Sequence, residues 1–248
     1  MGVNVIIICT CAAMALVTLP IVASVATSFF PRLNAHRRTS GLLVDRGALC
    51  ALAILFALAY YEWLTRFRPY TQVLAPSRAS TAAHLLVGNA LWFGAVANWA
   101  CAVAASPSCA ASASSDEKPC RLCGLRVDGF DHHCPFIAQC VGGHNRNSFF
   151  RFLVLSSAGC VYAACVSGHA FFECIAFPIA NLRLRWGSSR PRPDDACRLV
   201  QEHALLFLPA FGTCILVCVL TSWQGFLRAR GESTASFVRR WRVNAARG

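Results

Sequence analysis

The chain has 248 residues, of which 56% are hydrophobic and only 14% charged, with a mean hydropathy of +0.50. Soluble domains carry about 25% charged residues, so this composition excludes an ordinary soluble domain, a coiled coil and a disordered chain. Twenty-three basic residues, all but one of them arginine, outweigh 11 acidic ones for a net charge of +12; they sit in short segments between apolar runs, where they signal topology and contact with lipid or phosphate rather than a nucleic-acid surface.

Five apolar runs are long enough for a membrane crossing, which takes about 20 helical residues. They lie at 3–29, 47–64, 83–105, 149–180 and 203–225. Helices are predicted for all five, because backbone polar groups find no water partner in lipid. The first run lacks a basic leader and is long for a signal peptide, so a retained span is expected, although the small residues at Ala23–Ala26 leave cleavage as the alternative. Myristoylation at Gly2 is rejected, because Ile6 stands where Ser or Thr is needed. The run 47–64 is short unless it borrows Leu42, Leu43 and Val44, and Glu62 near its end reads as interfacial. The run 149–180 exceeds one straight span, so it should tilt or extend beyond the bilayer. Within it, Gly159, Ala163, Ala164, Ser167 and Gly168 suit close helix packing. His169 and Glu173 share a helical face within a span, which flags a functional role against the plainer readings of a hydrogen-bonded pair or of residues beyond the bilayer limit.

Sidedness follows from the basic residues in the loops. Segment 30–46 carries Arg32, Arg37, Arg38 and Arg46, segment 106–148 carries Lys118, Arg121, Arg126 and Arg146, and the tail carries six arginines from Arg228 to Arg247. Five crossings place these three on the cytosolic side. Loop 181–202 breaks the pattern with five arginines of its own, partly offset by Asp194, Asp195 and Glu202. The resulting organisation is an N-terminal set of about three membrane helices over 1–105, a cytosolic cysteine-rich insert over 106–148, two further helices over 149–225 and a basic cytosolic tail over 226–248. No repeat of a solenoid and no inverted symmetry of a transporter is visible.

Nine of the 15 cysteines, Cys174 among them, lie inside apolar runs and read as small hydrophobes. Others crowd into the insert, where residues 119–150 read PCRLCGLRVDGFDHHCPFIAQCVGGHNRNSFF. Cys120 and Cys123 form a C-x2-C pair whose sulfurs can reach one ion from a tight turn. With His133 and Cys140 they make a Cys3His set suited to tetrahedral zinc, and a loop this poor in apolar core needs such a staple. Asp131, His132, His133 and Cys134 also hold the parts of a thiol catalyst: a nucleophile, an imidazole to take its proton and a carboxylate to orient the imidazole. A neighbouring imidazolium favours the reactive thiolate. Which histidine serves the thiol and which the metal stays open on residue types alone, as does a purely metal-binding role. His144 reads as a surface loop residue.

The stretch FDHHCP at Phe130–Pro135, followed by C-V-G-x2-N-x3-F from Cys140 through Gly142 and Asn145 to Phe149, lies between membrane spans and resembles the DHHC protein S-acyltransferases, integral-membrane enzymes that attach palmitate to cysteine. The resemblance implies an α-helical integral membrane protein, with a small zinc-bound insert of irregular or β-hairpin structure. It implies Cys134 as the acylated nucleophile, His132 as its base, Asp131 as the orienting acid, and zinc held by Cys120, Cys123, His133 and Cys140. Fatty acyl-CoA would be the donor, with Arg126, Arg146 and Arg151 as candidates for its phosphates. Membrane-associated proteins bearing cysteine would be the acceptors, at an endomembrane (Golgi or endoplasmic reticulum) or the plasma membrane.

The departures are specific. The family's second zinc has its ligand positions at Ser106, Cys109, Pro119 and Arg126, three of which cannot ligate, so one zinc is expected instead of two. The family's Thr-Thr-x-Glu motif falls on Glu232, Ser233, Thr234 and Ala235, where one hydroxyl survives in register. The motif that ends the preceding span is reduced to Ser106-Pro107-Ser108, and three spans instead of two precede the insert. The chemical centre is complete, so an active enzyme is expected. The rival readings are a zinc-stapled scaffold with Cys134 idle, and a transporter or channel with a metal-sensing insert.

Overall fold

The computed structural model describes residues 40–74, 77–106, 119–176, 193–200 and 203–245. The first predicted span, Cys109 and most of loop 181–202 lie outside these residues. Among the described residues four helices are long and apolar enough to cross a membrane, over Val44–Val73, Arg78–Ala104, Arg146–Ile175 and Ala204–Ala229. They fall on the four later runs of the sequence. In order, α1 covers Ser40–Glu62 and passes through a π-helical turn, Trp63–Phe67, into α2 at Arg68–Leu74. Next come α3 at Arg78–Ala104, the short strands β1 at His132–Cys134 and β2 at Gln139–Val141, and α4 at Arg146–Phe171. A second π-helical turn at Phe172–Ala176 ends α4, and α5 at Pro193–Val200, α6 at Phe207–Ala229 and α7 at Thr234–Ala245 complete the chain. The first π-helical turn precedes Pro69, which cannot donate to a carbonyl one turn back, so the helix widens there instead of stopping.

The chain divides into two compact units, and each of the four long helices contributes one segment to each. The unit built from 54–94 and 155–217 has a core of Phe67, Tyr70, Ala170, Val200 and Ala204. Three sequence expectations are corrected there. Glu62 is not interfacial: it is buried, with Oε2 2.8 Å from Nδ1 of the equally buried His203, an ion-pair distance without hydrogen-bond geometry. Burying an acid inside a span is tolerated only with such a partner. His169 pairs with the Tyr70 hydroxyl at 2.7 Å instead of with Glu173. Cys174 is not a simple apolar filler but is disulfide-bonded to Cys197, with Cα atoms 5.5 Å apart. Gly168 meets the packing expectation, since a Cβ there would lie 2.9 Å from the Phe207 ring.

The second unit, which among the described residues covers 40–53, 95–106, 119–154 and 218–245, contains the paired strands. β1 and β2 pair antiparallel, with His132 opposite Val141, His133 opposite Cys140 and Cys134 opposite Gln139. A 3₁₀ turn at Pro135–Ile137 joins them and closes on Ala138, which takes a left-handed φ of 52°. The insert docks on the end of α3 through polar contacts. Gln139 Nε2 donates to the carbonyls of Ala102 (2.7 Å) and Val103 (2.9 Å), and Trp99 Nε1 donates to the Phe136 carbonyl at 2.9 Å. The last carbonyls of a helix lack partners within it, and here Gln139 supplies them.

The disulfide closes a 23-residue separation. Non-reducing peptide mapping is expected to recover Cys174 joined to Cys197, and Cys174→Ser to lower stability by about 3 kcal/mol. Two free thiols in that map would contradict the structure.

Candidate metal centre and thiol site

Side chains alternate across a strand, and β1 is three residues long. His132 and Cys134 therefore share one face, while His133 projects from the other, on the side of its cross-strand partner Cys140. The tight turn at Cys120–Gly124, closed by the Gly124 N–H on the Cys120 carbonyl at 2.9 Å, brings up the other two sulfurs. The donor atoms of Cys120, Cys123, His133 and Cys140 all lie within 4.8 Å of one another. His133 Nδ1 is 3.5 Å from Cys140 Sγ and 3.7 Å from Cys120 Sγ, and Cys123 and Cys140 sulfurs are 3.3 Å apart. Three sulfurs and one imidazole nitrogen at this spacing are a donor set that fits tetrahedral zinc.

A hydrogen bond from the Cys140 thiol pulls the Cys120 thiol down to about 3, against the cost of burial and with help from His133. The same contact pushes the Cys140 thiol up. Burial works against a charged His133, yet Asp45 and Cys120 outweigh it and raise the imidazole to about 10. Behind the ligands, Val127 packs on Cys120 and Cys140. Gly142 is required there, since a Cβ would lie 2.5 Å from Val127 Cγ1.

On the opposite face of β1, His132 Nδ1 lies 2.7 Å from Asp131 Oδ2. An ionised carboxylate only accepts, so Nδ1 carries the hydrogen and Nε2 is left for the Cys134 side. Burial alone would depress the His132 imidazole, but hydrogen bonds with Asp131 and Cys134 raise it to about 9. Its ring also meets Phe149 edge-on, with centroids 5.5 Å apart. Cys134 is buried, at 4% exposure.

Asp131 is 1% exposed and is held from three sides. Oδ1 accepts the Thr234 backbone N–H at 2.5 Å, and Oδ2 accepts from the Thr234 hydroxyl (3.2 Å) and Gln224 Nε2 (3.3 Å) in addition to His132. Burial opposes its ionisation, but His132, the Thr234 N–H and the nearby Arg146 together hold its carboxyl below the usual range. Thr234, at the variable position of the Thr-Thr-x-Glu pattern, therefore reaches the acid, whereas the hydroxyl that survives in register, Ser233, lies 3.3 Å from Ser236 Oγ. Glu232, just before Ser233, pairs with Arg240 and accepts from Arg146 Nη2 through its carbonyl at 2.6 Å.

Of the arginines proposed for phosphate, Arg126 and Arg151 are exposed, whereas Arg146 is engaged with Glu232. His144 is half-buried, with neither ring nitrogen hydrogen-bonded. Asn145 is a buried joint: its Oδ1 accepts the Gly142 N–H at 3.0 Å, and its Nδ2 donates to the Cys140 carbonyl at 3.1 Å. Sequence reasoning missed Asp45 and Gln224. Asp45 was findable as an acid at the mouth of an apolar run; nothing local pointed to Gln224.

Comparison with known proteins converges on the same segment. The family model for the DHHC palmitoyltransferase matches residues 105–240. The chain is 45% identical over 120 residues to palmitoyltransferase swf1 of Schizosaccharomyces pombe, covering 47% of this chain and 31% of that protein. It is 27% identical over 155 residues to palmitoyltransferase ZDHHC22 of Rattus norvegicus, covering 55% and 57% of the two chains. It is 44% identical over 43 residues to protein S-acyltransferase 8 of Arabidopsis thaliana, covering 17% and 11%. In each case the match spans less than two thirds of the relative's own length. Because the matched segment holds both paired strands and α4 to α6 after them, and exceeds half of the sequence, the chain belongs to the DHHC palmitoyltransferase family.

Proposed function

We propose that this protein is a protein S-acyltransferase that moves a long-chain acyl group, palmitoyl, from acyl-CoA to cysteines of membrane-associated proteins. The observation that carries this reading is the shared strand face of His132 and Cys134, with His132 Nδ1 fixed on a buried, ionised Asp131. A scaffold that used the insert only as a metal staple has no need of a buried carboxylate aimed at the imidazole beside a thiol.

In the first step His132 takes the Cys134 proton, and the thiolate attacks the acyl-CoA thioester carbonyl. The CoA sulfur leaves and takes the proton back from the imidazolium, so an S-acyl bond on Cys134 replaces the one broken. In the second step a substrate cysteine gives its proton to His132 and attacks that S-acyl bond, which restores the Cys134 thiol. A thioester is exchanged for a thioester each time, so the residues mainly supply position and thiolate. Asp131 keeps Nδ1 protonated and stabilises the imidazolium. Cys120, Cys123, His133 and Cys140 would hold one zinc ion, which supplies a structural cross-link. Arg126 and Arg151 are the exposed candidates for CoA phosphates.

The insert and tail are assigned to the cytosol and the Cys174–Cys197 end to the lumen or exterior. The disulfide supports this arrangement, because disulfides persist in oxidising compartments while thiols stay reduced in the cytosol.

Incubating the purified protein with a clickable palmitoyl-CoA is expected to give a hydroxylamine-labile label that Cys134→Ser abolishes; an unlabelled wild type would favour the scaffold. Asp131→Asn lets the amide present its N–H groups to His132 and is expected to slow acyl transfer about 100- to 10,000-fold, measured as single-turnover labelling. Elemental analysis should find about one zinc per chain, and two would contradict the loss of ligands at Ser106, Pro119 and Arg126.

A further inference from the structure

The metal cluster has a partner outside the insert. Asp45 Oδ2, on α1, lies 2.8 Å from His133 Nε2, across 88 residues of sequence. Both side chains are nearly buried, at 9% and 8% exposure. The other ring nitrogen of His133, Nδ1, faces the sulfurs of Cys120 and Cys140. Asp45 also begins a helix otherwise apolar enough to span a membrane, where an acid is costly unless something specific engages it.

We propose that Asp45 is the outer partner of the metal-binding histidine, setting which nitrogen of His133 meets the metal and tying the insert to α1. This rests on the zinc reading given above. As a carboxylate Asp45 can only accept, so Nε2 carries the hydrogen and the Nδ1 lone pair turns toward the sulfurs. A carboxylate behind a ligating imidazole fixes its tautomer and ring plane and makes it a stronger donor. The consequence reaches the thiol site mechanically. His133 sits between His132 and Cys134 on β1, so fixing its ring on one face fixes the strand that carries the base and the nucleophile on the other. Asp45 is thus a positioning residue that acts through His133 and touches no substrate.

The test compares Asp45→Asn with Asp45→Leu in the full-length purified protein, timing zinc release to a chromogenic chelator alongside thermal stability. Asn keeps an oxygen that accepts from Nε2–H, whereas Leu keeps volume but no acceptor. The expected result is zinc release about 10- to 100-fold faster for Asp45→Leu, with Asp45→Asn in between. If Asp45→Leu does not fold, faster release from Asp45→Asn at an unchanged thermal midpoint carries the proposal. Release at the wild-type rate from every variant that folds overturns it, as does equal acceleration in both variants that only tracks a fall in thermal midpoint. A wild-type protein that contains no zinc overturns the metal reading itself, and this proposal with it.

Discussion

Three residues of extended backbone organise the centre of this protein. Because side chains alternate along a strand, the sequence His132-His133-Cys134 sends its outer members one way and its middle member the other. His132 and Cys134 emerge together, and His133 emerges behind them, beside its cross-strand partner Cys140. Two short strands do not hold together alone in water. The pairing therefore leans on the Cys/His cluster at its back and on the polar joints that Gln139 and Asn145 make with α3.

Asp131 and Asn145 are buried polar groups at this centre, and both are hydrogen-bonded. Asp131 would be costly to ionise under cover, yet it accepts from a backbone N–H, a hydroxyl, an amide and an imidazole. Two of these partners, Gln224 and Thr234, lie far along the chain in α6 and α7. Asp131 is thus a meeting point of the insert, a long apolar helix and the tail. The tail contributes through Thr234, which stands at the variable position of the family's motif, and carries the Glu232–Arg240 pair.

Much of this was legible in the residues. Four apolar runs lie where the long helices lie, and the Cys3His set was readable because its spacing is local. The division of labour between His132 and His133 was open on residue types, although the two-residue period of a strand separates them once His132–Cys134 is recognised as extended. Long-range pairings were less accessible. Glu62 with His203, Tyr70 with His169 and Cys174 with Cys197 join side chains that no local pattern connects. Glu62 was misjudged because hydropathy sees an acid near a run's end but not the histidine that compensates it. Asp45 was overlooked for the same reason.

The 3.3 Å between the sulfurs of Cys123 and Cys140 has a consequence for how the protein matures. Neighbouring thiols this close need little movement to couple if an oxidant reaches them before a metal does. The chain makes a disulfide at Cys174 and Cys197 while Cys123 and Cys140 stay free thiols, so its maturation must keep two chemistries apart: electron withdrawal at one cysteine pair and its prevention at another.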